Sequence, residues 1–379
     1  MRYLTKYILD DIAKKMVFLT GPRQSGKTTL VTDMLKNLPG IYLNWDDQDH
    51  RKQIVKRDWS DEDTYIALDE IHKFSRWKNF LKGTYDTQKT KHRFIVTGSA
   101  KLDIYKKGQD SMLGRFFSWR VHPLCLAELK HQFKNTDDKN LDKLLTLGGF
   151  PEPFFEGKEV FAKRWRKEKL KLVFRQDIQE LESIKDISLL ELFYQALTER
   201  VSSEVVLSNL ARDLEIAPKT AKSWLNVLEK NYAVFIVRPF GKGIAKAITK
   251  TPKVYLYDNG EVNGDDGARF ENLVASHLHK RIQFLEDLYG DTYELNYLRD
   301  KNGHEIDFVI LKNNKPVCLI EVKLNDLNRS KSFYFYKERL KIKHCVQIIR
   351  GHVKPSTKDD ILVTSAYDWL SKPLEDEIF

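Results

Sequence analysis

Blocks of apolar and polar positions set out the elements before any motif is considered. KMVFLT, residues 15–20, is a short apolar run stopped by a glycine, the pattern of a strand buried in a parallel sheet. TTLVTDMLKNL follows with apolar residues at helical spacing. YIAL, ending in Asp69, and HRFIVT, followed by Gly98-Ser99, predict two further buried strands. Strands that alternate with helices predict an α/β fold with a parallel sheet core.

The pattern changes at GGFPEPFF, where two glycines and two prolines mark a junction. Residues 161–181 then read as a strongly basic helical stretch that includes Trp165, and a basic face of this kind suits a nucleic-acid backbone. Val206, Leu207, Leu210 and Leu214 share a short helix, and Pro218 opens a second helix with Trp224, Leu225 and Leu228 turned inward. The strand YAVFIVRPF comes next, so the order is that of a winged helix. In that layout Lys219, Thr220, Lys222 and Ser223 occupy the face that would enter a DNA groove.

Past residue 250 the chain gives a strand, an acidic loop and an amphipathic helix carrying Glu271. The strands YELNYLRD and HEIDFVIL follow, joined through the hairpin signal Asn302-Gly303, and then VCLIEVKL. The expected domains are 1–130, a P-loop core; 131–250, a helical linker and winged helix; and 251–379, a second α/β domain.

The loop after the first strand supplies the chemistry. Gly21-Pro22-Arg23-Gln24-Ser25-Gly26-Lys27-Thr28 fits the phosphate-loop pattern in full, and Thr29 continues into the helix. Its glycines let backbone N–H groups face phosphates, Lys27 reaches the same oxygens, and the Thr28 hydroxyl can ligate Mg²⁺. Asp69 at the end of its strand is a second metal acid, and Glu70 is placed to deprotonate an attacking water. Because a metabolite kinase does not need that second acid, the pair favours ATP hydrolysis. Ser99, with Thr97 as second choice, could sense the γ-phosphate, and Arg115 could reach a nucleotide in a neighbouring subunit.

In the last part Glu321 and Lys323 lie two apart on a strand and share a face, with Asp307 on the neighbouring antiparallel strand. Two acids and a lysine can hold a second divalent ion, Mg²⁺ or Mn²⁺, and position a water against a phosphodiester.

GPRQSGKTTL, LDEIHKFSRW, TGSA, LGRFF, HPLCLAEL and GGFPEP together resemble a family of prokaryotic AAA-type ATPases. The resemblance implies a P-loop core, a winged-helix region and a C-terminal domain similar to PD-(D/E)xK nucleases. Asp307 and Glu321-Val322-Lys323 are similar to the nuclease signature, with Glu271 matching the acid of its first helix.

Composition narrows the setting. A net charge of +10 favours a polyanionic partner. Cys125, Cys318 and Cys345 are odd in number and far apart, which suits a reducing cytoplasm. The start carries acids and has no apolar signal region, and no apolar run is long enough to cross a bilayer. The expected protein is an ATPase that acts on DNA as a homo-oligomer such as a hexamer. The alternative is a defence or signalling switch with the C-terminal domain as its output.

Overall fold

The computed structural model describes residues 2–98, 112–134, 139–178, 184, 186–241 and 251–377. They form two compact units, Met1–Pro123 and Leu124–Phe379.

The first unit contains α1 (Thr5–Ile12), β1 (Met16–Thr20), α2 (Lys27–Leu35), β2 (Gly40–Asn44) and α3 (Gln48–Lys56). It continues with β3 (Tyr65–Asp69), α4 (Trp77–Gln88), β4 (Arg93–Thr97) and β5 (Phe116–Arg120). The five strands are all parallel, in the order β2-β3-β4-β1-β5. Parallel pairing puts every carboxyl end on one edge, so the residues that follow β1, β3 and β4 share one crevice. Phe18, Leu43, Ile66, Leu68, Phe94 and Val96 pack into one core with Trp45 and Trp77, which fixes that edge from beneath.

The second unit begins with the helices α5 (Leu126–His131), α6 (Asn140–Leu147), α7 (Pro151–Glu156) and α8 (Glu159–Leu172). Next come α9 (Ile187–Thr198), α10 (Leu207–Asp213) and α11 (Pro218–Lys230), then β6 (Val234–Pro239) and β7 (Lys253–Leu256). The remainder is α12 (Asp266–Tyr289), β8 (Tyr293–Arg299), β9 (Glu305–Lys312), β10 (Lys315–Lys323), α13 (Lys331–Leu340), β11 (His344–Ile349), β12 (Ser356–Lys358), β13 (Ile361–Ser365) and α14 (Ala366–Leu370). Its mixed sheet runs β12-β13-β11-β10-β9-β8-β6-β7. β6 pairs antiparallel with β7 and parallel with β8, so the segments on either side of residue 250 share one sheet. Asn313 and Asn314, at φ 51° and 63°, turn β9 into β10 in the left-handed pair of conformations that tight hairpins favour.

In the helix–turn–helix, Trp224, Leu225 and Leu228 are buried as the periodicity predicts, whereas Val206 is exposed just before α10 begins. The glycine-rich junction is a packing site as well as a break. Gly148 follows α6 at φ 76°, and a Cβ there would lie 2.0 Å from Asp258 Oδ1. Asp258 is fully enclosed and accepts from Arg166 Nε at 3.3 Å and Lys169 Nζ at 3.2 Å. Lys169 also meets Glu261 at 2.6 Å and lies over the Phe150 ring, 4.2 Å from its centre. This network pins α8 to the turn after β7. Asp258→Ala removes the carboxylate shared by two buried cations and is expected to cost about 3–5 kcal/mol. Urea unfolding followed by tryptophan fluorescence checks this; an unmoved midpoint contradicts it.

Candidate functional site

The phosphate-loop residues sit between β1 and α2, where the sequence places them. Gly21 is at φ 135°, and a Cβ there would meet the Val121 carbonyl at 2.4 Å, so only glycine lets the loop pass this close to the strand beside it. Gln24 and Gly26 are at φ 59° and 90°, and Gly26 caps the start of α2. The loop therefore leads into a helix N-terminus, a natural anion site. Lys27 is buried and donates to the Gly21 carbonyl at 3.0 Å and the Pro22 carbonyl at 2.6 Å.

Arg2, which sequence reasoning passes over, braces this loop. It is buried, and its guanidinium donates to the carbonyls of Ser25 and His122, both at 2.7 Å. An isolated arginine ahead of a helix gives no periodic signal, so only the folded chain exposes its role.

Asp69 is the hub of the crevice. Its Oδ2 accepts from the Thr28 hydroxyl at 2.8 Å and the Tyr42 hydroxyl at 2.6 Å. Its Oδ1 accepts from the Thr97 hydroxyl and from Glu70 N at 3.0 Å. Burial followed by the bond to Asp69 raises the Tyr42 phenol above its ordinary value. Thr97 thus serves Asp69 directly. The paired hydroxyl and carboxylate oxygens of Thr28 and Asp69 suit a hard divalent cation such as Mg²⁺, and the loop beside them suits a nucleotide phosphate.

Glu70 stands at φ 56°, a left-handed conformation rare for a side chain with a Cβ and concentrated at functional sites. Its Oε2 makes no hydrogen bond among the described residues and faces His72 and Lys73 at 3.5 and 3.6 Å. Burial, opposed by the Lys73 charge, raises its carboxyl above the ordinary range.

One expected residue is not described and another is held away from the phosphate loop of its own chain. Ser99 lies outside the described residues. Arg115 precedes β5 and binds Asp86 with two bonds, of 2.8 and 3.0 Å. It sits at the amino edge of the sheet, about 16 Å of strand from the phosphate loop of its own chain. Of the groove residues, Lys219, Lys222 and Ser223 are exposed on one face of α11 and Thr220 is half-buried.

The C-terminal constellation is assembled, with one addition. Val322 N donates to Asp307 Oδ2 at 2.8 Å, and Asp307 N donates to Glu321 Oε2 at 3.4 Å. Lys323 pairs with Glu321 at 2.9 Å. Glu271, on α12, accepts from Tyr255 at 2.6 Å and lies 3.5 Å from Lys253, which also holds Glu305 at 2.7 Å. Burial, reinforced by Asp307, lifts Glu271 to about 8 and Glu321 to about 7. Lys253, unforeseen, supplies a resident cation to these acids. Lys253 and Tyr255 alternate on β7, a period-two signal that was available in KVYL. Among the described residues no three acidic, histidine or cysteine side chains are grouped to hold a metal ion, and Glu321 and Glu271 face Lys323 and Lys253.

Comparison with known proteins agrees with the first unit. Residues 13–130 match the family described as "AAA domain". Residues 138–264 and 266–369 match families described as "Domain of unknown function (DUF8612)" and "Domain of unknown function (DUF4143)". The chain is similar to an uncharacterized protein of Methanocaldococcus jannaschii, 25% identical over 364 residues, covering 87% of this chain and 80% of that one. An uncharacterized protein of Mycobacterium tuberculosis is 24% identical over 317 residues, covering 79% and 68%. Among solved structures, the Aeropyrum pernix ORC1 protein in complex with DNA aligns at 12% identity and TM-score 0.34, covering 74% of this chain and 94% of that one. Thermotoga maritima RuvB aligns at 15% identity and TM-score 0.31, covering 61% and 88%. Those two likenesses carry no argument. The full phosphate loop, the Thr28–Asp69 pair and the family match agree: residues 13–130 form an AAA-type P-loop ATPase domain.

Proposed function

We propose that this chain hydrolyses ATP in its first unit and uses the cycle to act on DNA, working as a homo-oligomer. The observation that carries the hydrolytic reading is Glu70, half-buried, strained and without a hydrogen bond to its Oε2 among the described residues, beside the fully bonded Asp69. Thr28 and Asp69 would hold Mg²⁺, which when bound neutralises phosphate charge. The loop N–H groups and Lys27 hold the β- and γ-phosphates. Water attacks the γ-phosphorus, its proton passes to the Glu70 carboxylate, and ADP leaves. A carboxyl group raised by burial is a better proton acceptor for this step than a solvated one.

The DNA reading is supported by the +10 charge and by the exposed Lys219, Lys222 and Ser223 on the second helix of a helix–turn–helix, with the antiparallel β6–β7 pair behind it in the winged-helix manner. The acids of the C-terminal cluster are read as a lysine-bound structural group, and no cleavage step is assigned to them. Mn²⁺-dependent nicking of supercoiled DNA that disappears in Asp307→Ala would restore a nuclease reading.

A second reading, a switch gated by assembly, is favoured by one contact. Arg115 must leave Asp86 before it can serve a neighbour's nucleotide. Turnover measured with and without DNA separates the two: a DNA-driven machine speeds up, whereas a switch responds only to protein concentration.

Lys27→Ala is expected to lower ATP turnover by roughly 100-fold or more through loss of phosphate charge stabilisation. Glu70→Gln is expected to lose roughly as much turnover while binding ATP like wild type, because an amide accepts no proton. Wild-type turnover in Glu70→Gln removes the assigned base. Arg2→Ala loosens the Ser25 carbonyl and is expected to raise KM for ATP about tenfold, or ~1.4 kcal/mol, with a smaller effect on kcat. Steady-state kinetics decide this, and an unchanged KM rejects the brace.

A further inference from the structure

A cleft of about 270 Å³ in the second unit is lined by Lys163, Arg166, Arg269 and Arg350, against the acids Glu159 and Asp266. A second hollow of about 380 Å³ shares Asp266 and Arg350 as its wall. Not all of these cations are available. Arg166 is bonded to the buried Asp258, and Arg350 reaches Asp142 at 3.4 Å and Asp266 at 3.3 Å. Lys163 and Arg269 have no carboxylate partner among the described residues, and Arg269 donates only to the Val262 carbonyl at 3.3 Å. Arg164, exposed on the same helix, has none either, and Lys167 has only the neighbouring Glu168 charge.

The built part of the cleft is its Arg166 wall. A Cβ at Gly260 would fall 1.7 Å from Arg166 Nη2, so glycine there lets the guanidinium lie flat against the turn. Lys163, Lys167 and Lys171 carry the cationic line out along α8, the last of them shared with Glu168 at 2.8 Å. From Lys163 to Lys171 is about 12 Å of helix, which spans three to four phosphates at about 3.4 Å per nucleotide of one strand. At the other end Arg350 N donates to the Lys323 carbonyl at 3.2 Å, so the line ends beside the acid–lysine cluster.

We propose that this cleft and the outer face of α8 bind the phosphate backbone of a nucleic-acid strand. The inference rests on the DNA reading above and gives it a second contact surface, apart from α11. Size and lining decide between a strand and a free nucleotide. The cleft is below the roughly 300–1,000 Å³ of enclosed small-molecule sites, and its wall contains no aromatic ring on which a base could stack. Guanidinium and ammonium groups without base-reading partners recognise phosphate charge and not sequence.

The test is fluorescence anisotropy of a labelled 30-nucleotide DNA strand over a salt series. It compares the wild-type chain, Lys163→Glu/Arg269→Glu, and Lys219→Glu/Lys222→Glu. The cleft variant is expected to bind at least tenfold more weakly, with the slope of log affinity against log salt shallower by about 1.4 for two lost phosphate contacts. Its DNA-independent ATP turnover and thermal midpoint should match wild type. If the reversed charges prevent folding, Lys163→Gln/Arg269→Gln is expected to give the same change in slope. Wild-type affinity and slope in the cleft variants, with loss in the α11 variant, overturn the cleft and leave the DNA reading standing. Absence of binding by every protein at low salt overturns both. In a Lys27→Ala background, displacement of the strand by inorganic phosphate or ATP as effectively as by unlabelled DNA assigns the cleft to free phosphate and overturns the strand.

Discussion

The Asp69 carboxylate is the contact on which the first unit's chemistry depends. Strand order makes it possible: β4 lies between β1 and β3, so Thr97 at the end of β4 bridges the gap from the phosphate-loop strand to Asp69. Thr28 reaches in from α2 and Tyr42 from β2. Three hydroxyl donors from three elements, with the Glu70 N–H as a fourth donor, leave the two carboxylate oxygens little freedom of direction. Glu70, next in the chain, is held in its left-handed conformation because its own N–H is tied to the same carboxylate. The orientation of the candidate base thus follows from the orientation of the candidate metal acid.

The second unit solves a different problem, the burial of charge. A buried ion is tolerable only when paired and hydrogen-bonded. Lys280 meets Glu128 at 2.7 Å with both side chains almost fully enclosed. Asp258 shares two cations, and Lys253 sits between Glu271 and Glu305. Each pair joins segments distant in sequence, so the unit is specified by complementary charges as well as by its apolar core. The same logic explains the C-terminal cluster. Three acids drawn together by a sheet and a helix repel, and here lysines of the chain offset that repulsion.

What the sequence disclosed follows from how local each signal is. Three strands of the parallel sheet (β1, β3 and β4), the phosphate loop and the hairpin at Asn302-Gly303 depend on residues adjacent in the chain and are legible, whereas β2 and β5 are not among the predicted strands. Arg2 and Tyr42 act on residues 23 and 27 positions away through register and crossover, which no period in the sequence encodes. Arg115 illustrates the converse. Its motif context suggested reach toward a neighbour, but the motif carries no information about Asp86, 29 residues earlier, which holds it in place. Of GGFPEPFF, read as a junction, Gly148 and Gly149 do separate α6 from α7, but Pro151–Phe155 lies in helix α7, and the close approach of Asp258 to Gly148 also required a long-range contact.

The basic helix shows why net charge by itself assigns no partner. α8 carries cations on every side, and composition counts them equally. Helical periodicity sorts them into two populations. Arg166 and Lys169, three apart, turn inward to Asp258 and hold the unit together. Lys163 and Lys167, four apart, turn outward, Lys163 with no carboxylate partner among the described residues and Lys167 beside the Glu168 charge. A helix needed only for packing could end its charged residues at the first group, and a helix needed only for solubility would intersperse acids with the second. On the outward face Lys163, Arg164 and Lys167 follow one another with no acid between Glu159 and Glu168, and the face continues into a cleft where Arg166, Arg269 and Arg350 stand against Glu159 and Asp266. The inner cations fix where this surface stands, and the outer ones give it a field that a backbone of phosphates would meet.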